Sequence, residues 1–345
     1  MIGKNDLHLV SRAALSPLRG GPAPFKLTVA VTYECHQRCT HCRIWKRGRT
    51  DELDVGQWRR VWRSAADTLA WLDLTGGELT SRPDAAEIAI AALEEVPRLA
   101  LLHFPTNGTD PDAVVRLATA VLTARPHRLI VSISLDGPPA LHDRLRGDLG
   151  SFDRAIETYR RLRALNVEAY FGMTLSSWNL DALDATAEAL AARSPGFLWS
   201  DLHVNLLHES PHYFGNDGIK HADPAATRAA IQTLLERRGA PRRLTHVLEH
   251  LFLQRLDEYT RTGRSPLPCG ALKGHAFIDP TGTVFPCHIW ERPVGLLRDH
   301  AFSLPAVLGT AASVEARARV TADLCPGCWT PCEAYPTILE NLLLV

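Results

Sequence analysis

Short apolar runs alternate with amphipathic stretches through the first two-thirds of the chain. Six runs rich in β-branched and aromatic residues read as strands, at 27–33, 69–75, 98–104, 128–134, 167–173 and 197–204. Between them lie segments of helical period at 55–67, 84–95, 111–124, 152–165 and 180–193, of which DRAIETYRRLRAL is typical. Asp110, Ser151 and Asn179 stand where N-caps belong. Strand–helix alternation of this kind requires a parallel sheet with right-handed crossovers. The expected fold class is α/β, a partial (β/α)6 TIM-like barrel followed by a small C-terminal Cys-rich domain.

In a barrel of this kind the loops that follow the strands share one face and carry function. After the first predicted strand comes Cys35–Cys42, and after the second Gly76-Gly77-Glu78. The third is followed by Pro105-Thr106-Asn107-Gly108 and the fourth by Asp136-Gly137. All four unusual loops therefore fall on the same face. The pattern divides the chain into an N-terminal arm (1–25), the barrel (26–215), a helical bridge (216–264) and a turn-rich C-terminal domain (265–345).

Composition narrows the function classes. The 345 residues are 46% hydrophobic and 22% charged, which suits a folded chain with a full core. Lys plus Arg and Asp plus Glu are both 38, so the formal charge is zero. A protein held to nucleic acid by phosphate contacts would be clearly basic, so no nucleic-acid partner is expected. No apolar stretch is long enough to span a membrane, and the N-terminus lacks a signal-peptide core. A cytoplasmic location is expected, where thiols stay reduced. Eight cysteines there point to metal or redox chemistry.

The cysteines form two groups. Cys35, Cys39 and Cys42 lie in CHQRCTHC; Cys269, Cys287, Cys325, Cys328 and Cys332 lie near the C-terminus. Three thiolates in one loop suit three irons of a cubane cluster, leaving the fourth iron open. Structural zinc needs a fourth ligand, which His36 or His41 would have to supply.

CHQRCTHC, LTGGE, PTNG and SISLDG, each following a successive strand, together resemble the radical S-adenosylmethionine (SAM) superfamily over about residues 26–205. The resemblance implies that Cys35, Cys39 and Cys42 ligate a 4Fe-4S cluster whose open iron binds the amino and carboxylate groups of SAM. It implies that Gly76 and Gly77 let the backbone approach the methionyl group, and that the Glu78 carboxylate accepts from the SAM amino group. Asn107, Ser134 and Asp136 take positions of ribose, carboxylate or substrate contacts, and His41 lies near adenine.

The C-terminal pattern is Cys269, Gly282-x4-Cys287, then Cys325-x2-Cys328-x3-Cys332, with FIDPTGTVFPC reading as a β-hairpin that returns Cys287 to Cys269. This resembles the SPASM and twitch extensions of radical SAM enzymes. Five cysteines fit one auxiliary 4Fe-4S cluster with one spare among Cys325, Cys328 and Cys332, although these spacings also allow zinc.

His246-Val-Leu-Glu-His250 matches an inverted zinc-protease pattern but has no third ligand in sight and reads as a helix face. His208, Glu209, His212 and Tyr213 follow the sixth strand and are the candidates for substrate contact. The resemblance implies SAM cleavage to a 5′-deoxyadenosyl radical, hydrogen-atom abstraction and a ferredoxin or flavodoxin-type reductant. A small-molecule substrate is the first expectation, because only 34 residues precede Cys35, too few for a peptide-recognition domain. Peptide maturation with a separate recognition partner is the alternative. An iron–sulfur electron carrier or a zinc-bearing binding module would be the non-enzymatic readings.

Overall fold

The computed structural model describes residues 4–49, 51–241 and 243–342. Six parallel strands form the barrel: β1 (Lys26–Thr32), β2 (Trp71–Gly76), β3 (Leu101–Thr106), β4 (Leu129–Ser134), β5 (Glu168–Leu175) and β6 (Leu202–Leu206). The sheet order is β6-β5-β4-β3-β2-β1 and continues through β7 (His275–Ile278), β8 (Thr283–Phe285) and β9 (Gly295–Leu296). β7 pairs with β1 in parallel, and the β7–β8 and β8–β9 pairings are antiparallel, so the C-terminal hairpin is built onto the barrel sheet itself.

Helix α1 (Lys4–Leu15) precedes the barrel. α2 (Val55–Ala65), α3 (Ala85–Glu95), α4 (Pro111–Thr123), α5 (Pro139–Arg146), α6 (Ser151–Ala164) and α7 (Leu183–Arg193) lie between the strands. α8 (Pro224–Arg238) and α9 (Leu244–Thr262) form the bridge, and α10 (Leu304–Leu308), α11 (Ala311–Thr321) and α12 (Pro331–Glu340) end the chain. Local chemistry fixes the starts: Asp54 and Gln57 form a reciprocal capping box on α2, and the Asp110 side chain accepts from the Ala113 N–H at 2.9 Å. Ser151 is the first helical residue of α6; its N-cap is Gly150, in the left-handed region, so that cap expectation shifts by one. The sixth strand starts at Leu202 because Trp199–Asp201 make a 3-10 turn, with Asp201 accepting the Leu198 N–H.

Alternation along the strands separates the core from the lumen. On β5, Ala169, Phe171, Met173 and Leu175 are buried in the core, and Phe171 stacks on Tyr159 of α6. Tyr170 on the other face stacks between His103 of β3 and His203 of β6. A hydrogen-bonded column fills the lower lumen: Lys26 Nζ meets Asp73 Oδ2 at 2.9 Å, Asp73 Oδ1 meets His103 Nδ1 at 3.0 Å, and His103 Nε2 meets Ser132 Oγ at 2.9 Å. Burial works to raise the Asp73 pKa, but Lys26 and His103 outweigh it and hold the carboxyl well below its usual range. α12 docks where the strands begin: Tyr335 stacks on Trp71, and Lys26 Nζ donates to the Cys332 carbonyl. The hairpin turn is tied by Asp279 Oδ1, which accepts the N–H groups of Thr281 and Thr283.

Candidate active site

The loop after β1 is pinned by its backbone. The Arg38 N–H donates to Arg146 O (3.1 Å), the Thr40 N–H to Leu145 O (2.8 Å) and the Arg43 N–H to Phe214 O (2.8 Å). Those anchors turn Cys35, Cys39 and Cys42 toward one cavity of about 190 Å3 at the C-terminal ends of the strands. His41, Gly76, Gly77, Asn107 and Ser134 line the same cavity. Burial raises all three thiols, Cys35 to about 11 and Cys42 to about 12. As thiolates they therefore call for a cationic partner.

The two glycines also set how closely two loops pack. A Cβ on Gly77 would lie 2.0 Å from Glu34 O, and one on Gly76, whose φ is +141°, would lie 2.1 Å from Thr32 O. Their missing side chains let the loop after β2 abut the loop after β1, where the Gly77 N–H donates to Thr32 O (2.9 Å) and the Glu78 N–H to Glu34 O (2.8 Å). The Glu78 carboxylate is buried and already satisfied. Oε1 accepts from the hydroxyls of Thr80 (3.0 Å) and Thr106 (2.9 Å), and Oε2 from the Asn107 N–H (2.7 Å). Glu78 therefore ties the β2 and β3 loops together, beside Gly77, Thr106 and Asn107, which line the cavity.

Asp136 is withdrawn from the cavity. It is fully buried, accepts the Thr174 N–H at 2.9 Å and pairs with Arg146 Nε at 2.8 Å. Burial opposes its ionisation, but Arg146 overrides that and lowers its pKa. Arg146 in turn donates to Cys39 Sγ at 3.8 Å, so the Asp136–Arg146 pair sets a positive charge beside the first thiol group. His41 Nδ1 stands 3.9 Å from Asp136. Sequence reading missed Arg146, Thr174 and Asn216. Asn205 lines the cavity with a buried Oδ1 that has no partner, which fits a donor on a bound molecule.

The four substrate candidates divide in two. His208 and Tyr213 line the cavity. Glu209 is exposed and accepts the Gly218 N–H at 3.1 Å; His212 packs against Phe285 with centroids 4.7 Å apart. Neither of these lines the cavity, because the chain turns over at Ser210, whose N–H donates to Asn216 Oδ1. His208 Nδ1 donates to Leu206 O (2.8 Å) while Nε2 accepts the Trp329 N–H (3.4 Å), which selects one neutral tautomer. Burial lowers its pKa to about 4, in keeping with that neutral ring. The Tyr213 hydroxyl donates to Gly76 O at 3.1 Å.

Trp329 belongs to a second cavity of about 330 Å3, lined by Cys269, Cys287, Cys325 and Cys328. The predicted hairpin does bring Cys287 to Cys269. Cys332 does not line this cavity: it joins His288 and Glu333 in the one group of three ligating residues, among those described, whose atoms fall within 4.8 Å of one another. Burial opposes Glu333 ionisation, but His288, at 2.9 Å, holds its pKa down to about 2. By the same 4.8 Å measure, Cys35, Cys39 and Cys42 do not close on a single point, nor do any three of the second cavity's cysteines. Zinc at ~2.3 Å from each sulfur would hold them within about 4.6 Å of one another. His246 and His250 sit on α9 without a third ligand in such a group, and Glu249 between them accepts the Val204 N–H at 2.9 Å.

Comparison with known proteins agrees with this geometry. The family model described as the radical SAM superfamily matches residues 29–190. The chain is 38% identical over 303 residues to PqqA peptide cyclase of Methylorubrum extorquens, covering 84% of this chain and 73% of that one. It is 32% identical over 221 residues to mycofactocin maturase MftC of Mycolicibacterium smegmatis, spanning 56% of this chain and about half (52%) of the maturase. The solved structure of Streptococcus suis SuiB bound to S-adenosylmethionine shares the fold, with TM-score 0.63 at 16% identity over 91% of this chain and 74% of that one. This chain is accordingly a member of the radical SAM superfamily, enzymes that work with S-adenosylmethionine and a 4Fe-4S cluster.

Proposed function

We propose that the chain is a peptide-modifying radical SAM maturase with one auxiliary 4Fe-4S cluster. The observation that carries this reading is the likeness to PqqA peptide cyclase over 84% of the chain. The mycofactocin maturase points the same way, so the small-molecule substrate expected from the sequence gives way to its alternative, a peptide. A four-cysteine cavity separated from the first by a thin wall supports the auxiliary cluster. His208 lines the first cavity and accepts from Trp329 of the second, and Tyr213 meets His288 edge-on at 5.8 Å.

In this reading Cys35, Cys39 and Cys42 hold the first cluster, and Cys269, Cys287, Cys325 and Cys328 the second, leaving Cys332 as the spare. Bound together, SAM and the first cluster supply a 5′-deoxyadenosyl radical able to take a hydrogen atom from an unactivated C–H bond. Arg146 offsets the negative charge gathered on the Cys39 side. Asn107, Ser134 and Asn205 present polar groups to the bound molecule, and Gly76 and Gly77 set the spacing of the two loops that frame it. Neutral His208 and Tyr213 face the same space without adding charge, and Ile44, buried beside Tyr213 and Cys42, keeps that side dry.

The test is anaerobic turnover with short peptides encoded beside its gene. A peptide product lacking a pair of hydrogens, formed with 5′-deoxyadenosine, supports the assignment. Turnover of a small metabolite with no change in any peptide would return the substrate to the first expectation.

A further inference from the structure

Cys332 lines neither of the two cysteine cavities, yet other ligating atoms lie beside its sulfur. Cys332, His288 and Glu333 each offer one such atom, and the three atoms lie within 4.8 Å of one another. His288 Nδ1 and Glu333 Oε1 are 2.9 Å apart, and both side chains are buried. His288 stands in the turn after β8, whereas Cys332 and Glu333 stand in the first turn of α12. The fold thus gathers a nitrogen, a sulfur and an oxygen donor from two segments 45 positions apart in the His288–Glu333 pair.

The surroundings hold these donors in place. Glu333 Oε2 accepts from the Thr330 hydroxyl, which leaves Oε1 to the His288 side. The Ser210 hydroxyl donates to the His288 carbonyl and fixes the backbone that carries the ring. Tyr213 and Phe214 meet that ring edge-on at 5.8 and 5.7 Å, an apolar shell that limits water access. Lys26 is the cation on the Cys332 side, but its ammonium group is committed to Asp73 (2.9 Å), the Thr28 hydroxyl (2.9 Å) and the Cys332 carbonyl. Lys26 therefore answers Asp73. Metal ligation needs a neutral imidazole, a thiolate and a carboxylate. The two negative charges of that set are cancelled by one divalent cation, as buried charges require.

We infer that Cys332, His288 and Glu333 bind a single divalent cation of the zinc class. Mixed nitrogen, sulfur and oxygen donors suit this borderline ion. Zinc bonds of ~2.0 to 2.3 Å hold such atoms within about 4.6 Å of one another. Among the described residues, this group alone approaches that spacing. Three protein ligands leave a fourth position for water. The ion would join the turn after β8 to the start of α12 and so brace the wall between the two cysteine cavities. It uses no cysteine that lines either cavity, so the site can fail while the two-cluster reading stands.

The experiment uses the full chain, reconstituted anaerobically with iron and sulfide, then given an equivalent of Zn2+ alone and desalted. Elemental analysis reads zinc and iron, and X-ray absorption at the zinc edge reads the atoms around the ion. Zinc stands above ferrous iron in the affinity order, so iron left from reconstitution does not hold the site against it. The expected result is about one zinc per chain, with one sulfur at ~2.3 Å and the remaining ligands nitrogen or oxygen. Cys332→Ser and Glu333→Gln, both close to isosteric, should each weaken zinc binding at least about tenfold and leave iron at the wild-type content. Cys328→Ser should do the reverse, losing about four irons while zinc stays. Wild-type protein that retains no zinc overturns the proposal, as does a zinc edge showing several sulfurs. Zinc retained equally by both ligand variants also overturns it and leaves His288 and Glu333 as an ion pair only. Zinc bound as expected in a chain that takes up no iron would support this site and fault the cluster reading instead.

Discussion

Glu340 shows how a single buried side chain sets a pH dependence. Its carboxylate lies where Cβ atoms on Gly270 and Gly274 would be, at 1.9 and 1.8 Å, so only glycine at both positions leaves it room. Burial raises its pKa from 4.5 to about 7. The folded state then binds the extra proton between those values, so stability is lost as pH rises from about 4.5 toward 7 and stays lost above. The penalty is about 3 kcal/mol at full ionisation. Glu340→Gln should therefore raise the denaturation midpoint at pH 8 and leave it nearly unchanged at pH 4, which urea titrations at the two values would read. Gly77→Ala forces the opposite outcome. A methyl group 2.0 Å from Glu34 O separates the two loops, so stability should drop by about 2 kcal/mol or more and 5′-deoxyadenosine formation at least about tenfold. Spacing in the sequence was enough to pick out Cys35, Cys39 and Cys42. LTGGE singles out the Glu78 carboxylate without showing that Thr80, Thr106 and the Asn107 amide enclose it. Arg146 had no sequence signal, since its contact with Cys39 spans 107 positions.

Among the elements, α5 and α12 do work that periodicity did not reveal. α5 is only eight residues long and carries Arg146 into the buried pair with Asp136. Asp136→Asn would leave that guanidinium buried beside an uncharged partner, costing about 3 kcal/mol, readable by denaturation of the apoprotein. α12 bears Cys332 under the barrel, beside Lys26, while Cys325 and Cys328 in the preceding turn face the second cavity. The C-x2-C-x3-C spacing alone left open which of these cysteines is spare; the helix start at Pro331 turns Cys332 away from that cavity. Cys287→Ala should accordingly lower iron by about four per chain, whereas Cys332→Ala should keep the wild-type content. Iron lost equally in both variants would contradict the separation of Cys332 from the second group.

At the scale of the whole molecule, the barrel was legible because strand and helix periods alternate cleanly, and strands read from apolar runs fall within a few residues of those observed. The connection of the C-terminal segment was not legible. β7 is a four-residue strand with no helical crossover of its own, and nothing local announces that it pairs with β1. That pairing carries the second cysteine set to the side of the first and leaves His208, Tyr213, His288 and Trp329 between them. The central claim is that one chain holds two iron–sulfur sites across this wall and uses the first to cleave SAM. The most direct measurement is iron and sulfide content of anaerobically reconstituted protein, with 5′-deoxyadenosine assayed after dithionite and SAM. About eight irons per chain with 5′-deoxyadenosine formed is the predicted result. Properly anaerobic protein that held neither iron nor this activity would contradict it.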